Sequence, residues 1–210
     1  MKFIAYIALA IGFSSANAGA YDDFFKAIKL DDVSAVESLL ARGFDPNARD
    51  DGGQTPLYLS FREASFKSAT LLLRQPQLRL ELRNVNGETA LMMAALKGQV
   101  DWVQQLLDRG AGVEAVDPKA WSALHYAAAG PEPGAVRLLL ARGAQIDARS
   151  PNGSTPLMMA ARYGPEDAVD ALLQHGANPR LRNDLELSAA DFARQVGREK
   201  LADRLAQVAR

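Results

Sequence analysis

Two histidines, no cysteine and a scatter of carboxylates are what this chain offers for group chemistry. Without a thiol it forms no disulfide, makes no thiolate nucleophile and gives no cysteine ligand to a metal. A general base needs a partner group within hydrogen-bond reach, and neither His125 nor His175 has a motif partner that suggests a nucleophile or a metal. His175 sits in Gln174-His175-Gly176-Ala177, at the expected end of a helix, where partial positive character suits the dipole. Asp50-Asp51-Gly52-Gly53 begins like a cation loop but lacks the downstream ligands of a calcium site, so it reads as a hairpin turn. Met92-Met93 and Met158-Met159 could bind a soft metal or sense oxidants. They fall at equivalent places in the chain, and adaptable core packing accounts for them better. Hydrolysis would use carboxylates such as Asp50, Asp51 or Glu88, and nothing in their spacing pairs an acid with a base. No catalytic, cofactor-binding or metal-binding residue is assigned.

The elements that would position any site come from one phrase written repeatedly. Thr55-Pro56-Leu57-Tyr58, Thr89-Ala90-Leu91-Met92, Ser122-Ala123-Leu124-His125 and Thr155-Pro156-Leu157-Met158 recur every 33 or 34 residues, with a fainter copy at Ser188. A period in that range marks a solenoid, in which each unit buries its apolar face against its neighbours. Thr or Ser accepts a bond from an orphan helix N–H, and Pro56 and Pro156 occupy the first turn, where no N–H partner is lost. About 13 residues on come the pairs Leu39-Leu40, Leu72-Leu73, Leu106-Leu107, Leu139-Leu140 and Leu172-Leu173, spaced to pack against Leu57, Leu91, Leu124 and Leu157. Gly43, Gly110, Gly143 and Gly176 stand where the second helix of each pair ends in a left-handed residue. Pro76 replaces that glycine once and cannot take its positive φ, so the connection there is built differently. Pro131 stands where Gly98, Gly164 and Gly197 separate paired helices, which implies a stiffer turn. The Pro76 junction and the Pro131 turn are the expected weak points of the array.

These phrases resemble the ankyrin repeat, and the resemblance covers nearly everything after residue 20. It implies an all-α solenoid of about six helix pairs with short β-hairpin-like loops, in units of about 21–49, 50–83, 84–116, 117–149, 150–182 and 183–210. Composition agrees, with 48% apolar and 23% charged residues and no interior linker, so one elongated domain is expected. The resemblance also implies that His125 is a structural hydrogen-bonder between neighbouring repeats, and that partners meet the hairpin tips and the exposed inner-helix positions. By register the tips are Asp51, Gln54, Val85, Glu88, Lys119, Trp121, Asn152, Ser154 and Leu187; the helix positions are Arg62, Glu63, Leu96, Lys97, Arg162 and Tyr163.

Residues 1–20 read as a secretory leader. Lys2 precedes the mostly apolar run from Phe3 to Phe13, and Ala16-Asn17-Ala18 and Ala18-Gly19-Ala20 offer cleavage after Ala18 or Ala20. The run is too short to span a membrane, and no cysteine follows it to carry a lipid anchor. Removing Lys2 takes the net charge from −1 to −2, too balanced for a nucleic-acid track or an anionic membrane surface. The expected location is the bacterial periplasm, with secretion beyond it as second choice.

These readings converge on a non-enzymatic module, expected to be a monomer, that binds a partner protein through a concave face. Large aromatics dominate interfaces when desolvated, so Trp121, Tyr163 and Leu96 form the expected hot spot. Lys97, Lys119 and Arg162 rim it, with Asn152, Glu88 and Arg62 as further contact candidates. Trp102, beside Val103 and Leu106, reads as packing. The alternatives are a hydrolase built on Asp50, Asp51 or Glu88, and an immunity or protective protein for an exported enzyme or toxin.

Overall fold

The computed structural model describes residues 15–114 and 121–209. Among them every regular element is a helix and no strand occurs. The order is α1 (Ser15–Lys29), α2 (Val33–Ala41), α3 (Pro56–Arg62), α4 (Phe66–Leu73), α5 (Ala90–Leu96), α6 (Val100–Asp108), α7 (Ala123–Ala129), α8 (Pro133–Ala141), α9 (Pro156–Tyr163), α10 (Glu166–Gln174), α11 (Ala189–Gln195) and α12 (Glu199–Val208). This is the all-α repeat solenoid that the recurring phrase implies, in six helix pairs. The hairpin-like loops are closed by backbone turn bonds, such as Ser150 N–H to the Ser154 carbonyl at 2.9 Å, together with side-chain acceptors, such as Asn84 Oδ1 taking Glu88 N–H at 3.0 Å. Helix α1 is already helical at Ser15, the first described residue, six residues ahead of Tyr21, where the repeat register alone starts it.

The helix starts follow from their caps. Thr55, Thr89 and Thr155 accept at Oγ1 from the N–H of Tyr58, Met92 and Met158 at 3.3–3.4 Å, and Ser188 accepts from Asp191. Gly43, Gly110, Gly143 and Gly176 terminate the second helices at φ between +87° and +93°, a conformation that a Cβ penalises.

The chain packs as two compact units, one up to Leu78 and one from Arg79. In the first, α1 packs on α2 and α3, and α4 on α2 and α3, around Phe24, Ile28, Leu59, Phe61 and Leu72. Asp31, at φ +51°, accepts Ser68 N–H at 2.8 Å and Ser68 Oγ at 2.7 Å. It thereby satisfies orphan donors at the start of α4, where Ser65 makes no capping bond. The boundary falls two residues past Pro76, the connection that departs from the glycine pattern.

In the second unit α5, α7, α9 and α11 stack in one layer and α6, α8 and α10 in the other, with α12 on α11. Leu106, Leu124, Leu139, Leu157 and Leu172 lie fully buried between the layers. Deleting one such leucine to alanine costs about 2–5 kcal/mol. Successive loops are tied by carboxylates: Glu81 accepts Gly112 N–H at 2.8 Å, and Asp147 accepts Asn178 N–H at 3.1 Å.

One turn assignment is corrected. Gly98 and Gly197 are left-handed, at φ +68° and +75°, but Gly164 is extended at φ −82° and ψ 168°. Gly130 is extended in the same way, and each is followed by a proline, so the Gly130-Pro131 turn recurs as Gly164-Pro165 and is not an exception. The physical need at these two positions is close approach. A Cβ on Gly130 would stand 2.8 Å from the Leu96 carbonyl oxygen, and one on Gly164 would collide with the carbonyl of Ala128.

Candidate functional site

The site grows from a gap in the repeat. Stepping by 33 residues, Leu96-Lys97 at the end of α5 is followed by Ala129-Gly130 at the end of α7 and Arg162-Tyr163 at the end of α9. Two large side chains flank a methyl group and a hydrogen, and α7 lies between α5 and α9. The result is a cleft of about 370 Å³, floored by Ala129, Leu96 and Met159 and walled by Trp121, Tyr126 and Tyr163. Leu96, Trp121 and Tyr163, the three expected hot-spot residues, thus meet in one cavity. Its volume is at the low end for ligand clefts, about 300–1,000 Å³.

Each wall is held from behind. Tyr126 Oη donates to Glu88 Oε1 at 2.9 Å, while Glu88 Oε2 accepts from the Asn84 amide at 2.7 Å. Glu88 therefore positions an aromatic wall from its own loop. Trp121, half-buried, lies edge-on to the His125 ring with centroids 5.2 Å apart. Tyr163 is 59% exposed, an unusual cost in water for a large ring unless something covers it. The Arg162 guanidinium lies 5.3 Å from the Tyr163 ring centroid and 5.9 Å from that of Phe192, and donates to Gln195 Oε1 at 2.6 Å.

His125 lines the cleft floor and is a structural group. Ser122 N–H and Oγ meet its Nδ1 at 3.2 and 2.7 Å, and its Nε2 lies 3.0 Å from the Ser154 carbonyl oxygen in the next loop. A backbone N–H can only donate, so Nδ1 is the acceptor and Nε2 carries the proton. Burial, opposed in part by hydrogen bonds to the Ser154 and Ala148 carbonyls, lowers its pKa from 6.5 to about 4. The imidazole is thus neutral at physiological pH and bridges two repeats. At the same position Met92 and Met158 turn Sδ back to accept Thr89 N–H and Thr155 N–H, at 3.4 and 3.3 Å. Met92, Met93 and Met158 are buried, as the packing reading expects, while Met159 is half-buried and lines the cleft.

The remaining candidates disperse. Lys97 is exposed at the end of α5 and Asn152 at a loop tip, where its carbonyl accepts Asp184 N–H at 3.1 Å. Ser154, a tip position by register, is fully buried because His125 and Ser150 use its backbone. Arg62 belongs to the first unit and pairs with Glu63 at 2.8 Å. Lys119 lies outside the described residues. Asp50 and Asp51 belong to the first unit, where Asp50 accepts Gln54 N–H at 2.7 Å. Among the described residues no group of three His, Asp or Glu could hold a metal ion, and no helix is long and apolar enough to cross a membrane. The sequence reading missed the gap itself, although Ala129-Gly130 between Leu96-Lys97 and Arg162-Tyr163 was legible in the aligned repeats.

Known proteins carry the same repeat. Notch homolog protein 1 of Xenopus laevis is 34% identical over 97 residues, 46% of this chain but 4% of its own length. Human NF-kappa-B inhibitor alpha is 34% identical over 97 residues, 44% of this chain and 31% of its own. The chain thus spans only a small part of the length of these relatives. Among solved structures, a chain of the Bd0816 predatory endopeptidase from Bdellovibrio bacteriovorus in complex with immunity protein Bd3460 superposes with a TM-score of 0.75 at 28% identity. That match covers 88% of this chain and 97% of the other. The family model described as ankyrin repeats in three copies matches residues 24–117 and 110–183, and this chain belongs to the ankyrin-repeat family.

Proposed function

We propose that the protein is a non-enzymatic binding module that holds a partner protein in the cleft of Leu96, Trp121 and Tyr163. We further propose that it acts as an immunity-type protector, restraining an exported enzyme of the peptidase class in the periplasm. The observation that carries the binding reading is the cleft: three large apolar side chains gathered round a gap in the repeat and left partly open to water. The likeness, over nearly the whole of both chains, to a chain of an endopeptidase–immunity protein complex supports the finer reading. The leader-like residues 1–20 support export. A hydrolase has less behind it, because both Glu88 oxygens are engaged in holding Tyr126 and the Asn84 loop.

The test is comparative capture from the producer's extracytoplasmic fraction, with the unmodified protein and a Trp121→Ala, Tyr163→Ala double variant as baits. A peptidase retained only by the unmodified bait, and inhibited by it, is the expected result. Equal capture by both baits, or a captured peptidase that keeps full activity, refutes the corresponding part of the reading. Recovery of the native protein only from the cytoplasm refutes the location.

A further inference from the structure

The cleft has a charge pattern as well as a shape. Lys97 directly follows the lining residue Leu96, and the Arg162 guanidinium lies 5.3 Å from the ring of the lining residue Tyr163, so each cation adjoins a flanking wall, and neither forms an ion pair with a carboxylate among the described residues. Most other arginines of the second unit's last repeats do: Arg149, Arg182, Arg194 and Arg204 each lie within 4.0 Å of a carboxylate. Arg162 is instead fixed between two aromatic rings with Nε buried and no acceptor for it. Glu88, a carboxylate tied to the cleft wall, is committed to Tyr126 and Asn84. Two cations with no carboxylate within 4.0 Å among the described residues thus adjoin opposite walls of an apolar cavity. Two such cations repel each other and favour a negative group brought between them, more strongly as water is excluded.

Resting on the protein-binding reading above, we propose that the occupant is a partner segment in which a large apolar side chain stands within a few residues of a carboxylate. The apolar side chain enters over Ala129, between Leu96 and Tyr163, where the volume suits one side chain and its neighbour rather than a helix. The carboxylate settles at the rim against Lys97 and the Arg162 guanidinium. Arg162 is already immobilised by its rings and by Gln195, so little side-chain freedom is lost when the pair forms. Apolar burial supplies the affinity of this segment, and the two cations supply its selectivity.

The experiment pans a display library of short random peptides on three full-chain baits: the unmodified protein, Ala129→Leu, which fills the cleft, and a Lys97→Glu, Arg162→Glu double variant. The expected result is enrichment, on the unmodified protein, of peptides with Phe, Leu or Met within two or three residues of Asp or Glu. Those peptides lose about tenfold or more in retention on either variant, the affinity of each falls with added salt, and the charge-reversed bait selects Lys or Arg beside the apolar residue instead. Lys97→Glu alone, at an exposed position, serves should the Arg162 change unsettle α9. Apolar peptides without acidic residues, held equally by the charge-reversed bait but lost on Ala129→Leu, overturn the charge assignment and leave the cleft reading standing. Peptides held equally by all three baits, or no enrichment on the unmodified protein, overturn both. Self-association that Ala129→Leu abolishes gives the cleft to a second copy of this chain and overturns the proposal.

Discussion

Replacing His125 by methionine should make the protein less stable at neutral pH and more stable in acid. The folded state holds this imidazole neutral, with Nδ1 accepting from Ser122 and Nε2 donating to the Ser154 carbonyl, and lowers its pKa from 6.5 to about 4. Between those values the unfolded chain binds the proton and the folded chain does not, so stability falls as pH drops from about 6.5 towards 4. At about 1.4 kcal/mol per pH unit, the loss attributable to His125 is on the order of 3 kcal/mol. Methionine is the natural occupant of the same position in two neighbouring repeats, where Sδ accepts the N-cap N–H. His125→Met therefore keeps the cap acceptor, gives up the bond to Ser154 at a cost of about 1 kcal/mol, and removes the proton site. The difference between the two proteins reverses sign. It runs from about 1 kcal/mol in favour of the parent at pH 7 to about 2 kcal/mol in favour of the His125→Met variant at pH 4. Urea unfolding by far-ultraviolet circular dichroism at pH 7, 5.5 and 4 reads this directly, since carboxylates common to both proteins cancel in the comparison. Parallel pH profiles for the two proteins would refute the assignment of a buried neutral imidazole.

Further outcomes follow from the same geometry. Gly164→Ala should cost about 2 kcal/mol or more, because the new methyl meets the Ala128 carbonyl. Gly197→Ala, whose Cβ meets nothing within 4 Å but whose φ is +75°, should cost only about 1 kcal/mol; thermal unfolding of the two variants checks the order. Asp191 accepts from Ser188 N–H and Oγ, which holds its carboxyl below the usual carboxylate range. Asp191→Ala should lower stability by about 1 kcal/mol near neutral pH, and the deficit should shrink as acid protonates the parent carboxylate, which urea unfolding at pH 7 and 3 measures. Ala129→Leu should leave the folding free energy within about 1 kcal/mol of the parent while weakening partner binding at least about tenfold, measured by calorimetric titration. Native-state hydrogen exchange should be fastest around Pro76, where no left-handed cap closes α4.

The architecture was legible because each repeat states it locally. Thr55, Thr89 and Thr155 begin helices, Gly43 and Gly143 end them, and leucines at fixed offsets fill the layer between. What the sequence concealed depends on contacts between repeats. Gly164 matches Gly98 by register, and although Pro165 after it already favours an extended residue, the approach of the Ala128 carbonyl that leaves no room for a Cβ is set by the neighbouring repeat. Glu88 reads as a solvent-facing tip carboxylate until Tyr126, 38 residues on, is placed against it. The hot-spot residues were found by aligning exposed positions, whereas the cleft between them is made by what Ala129 and Gly130 lack, and absent side chains attract less notice than large ones.

Whether the partner sits in this cleft is tested most directly by hydrogen–deuterium exchange of the protein alone and with its captured partner. Slowed exchange should concentrate at the ends of α5, α7 and α9, around Leu96, the Trp121–Ala129 stretch and Tyr163. Protection confined to α6, α8 and α10, with those three helix ends unchanged, would contradict it.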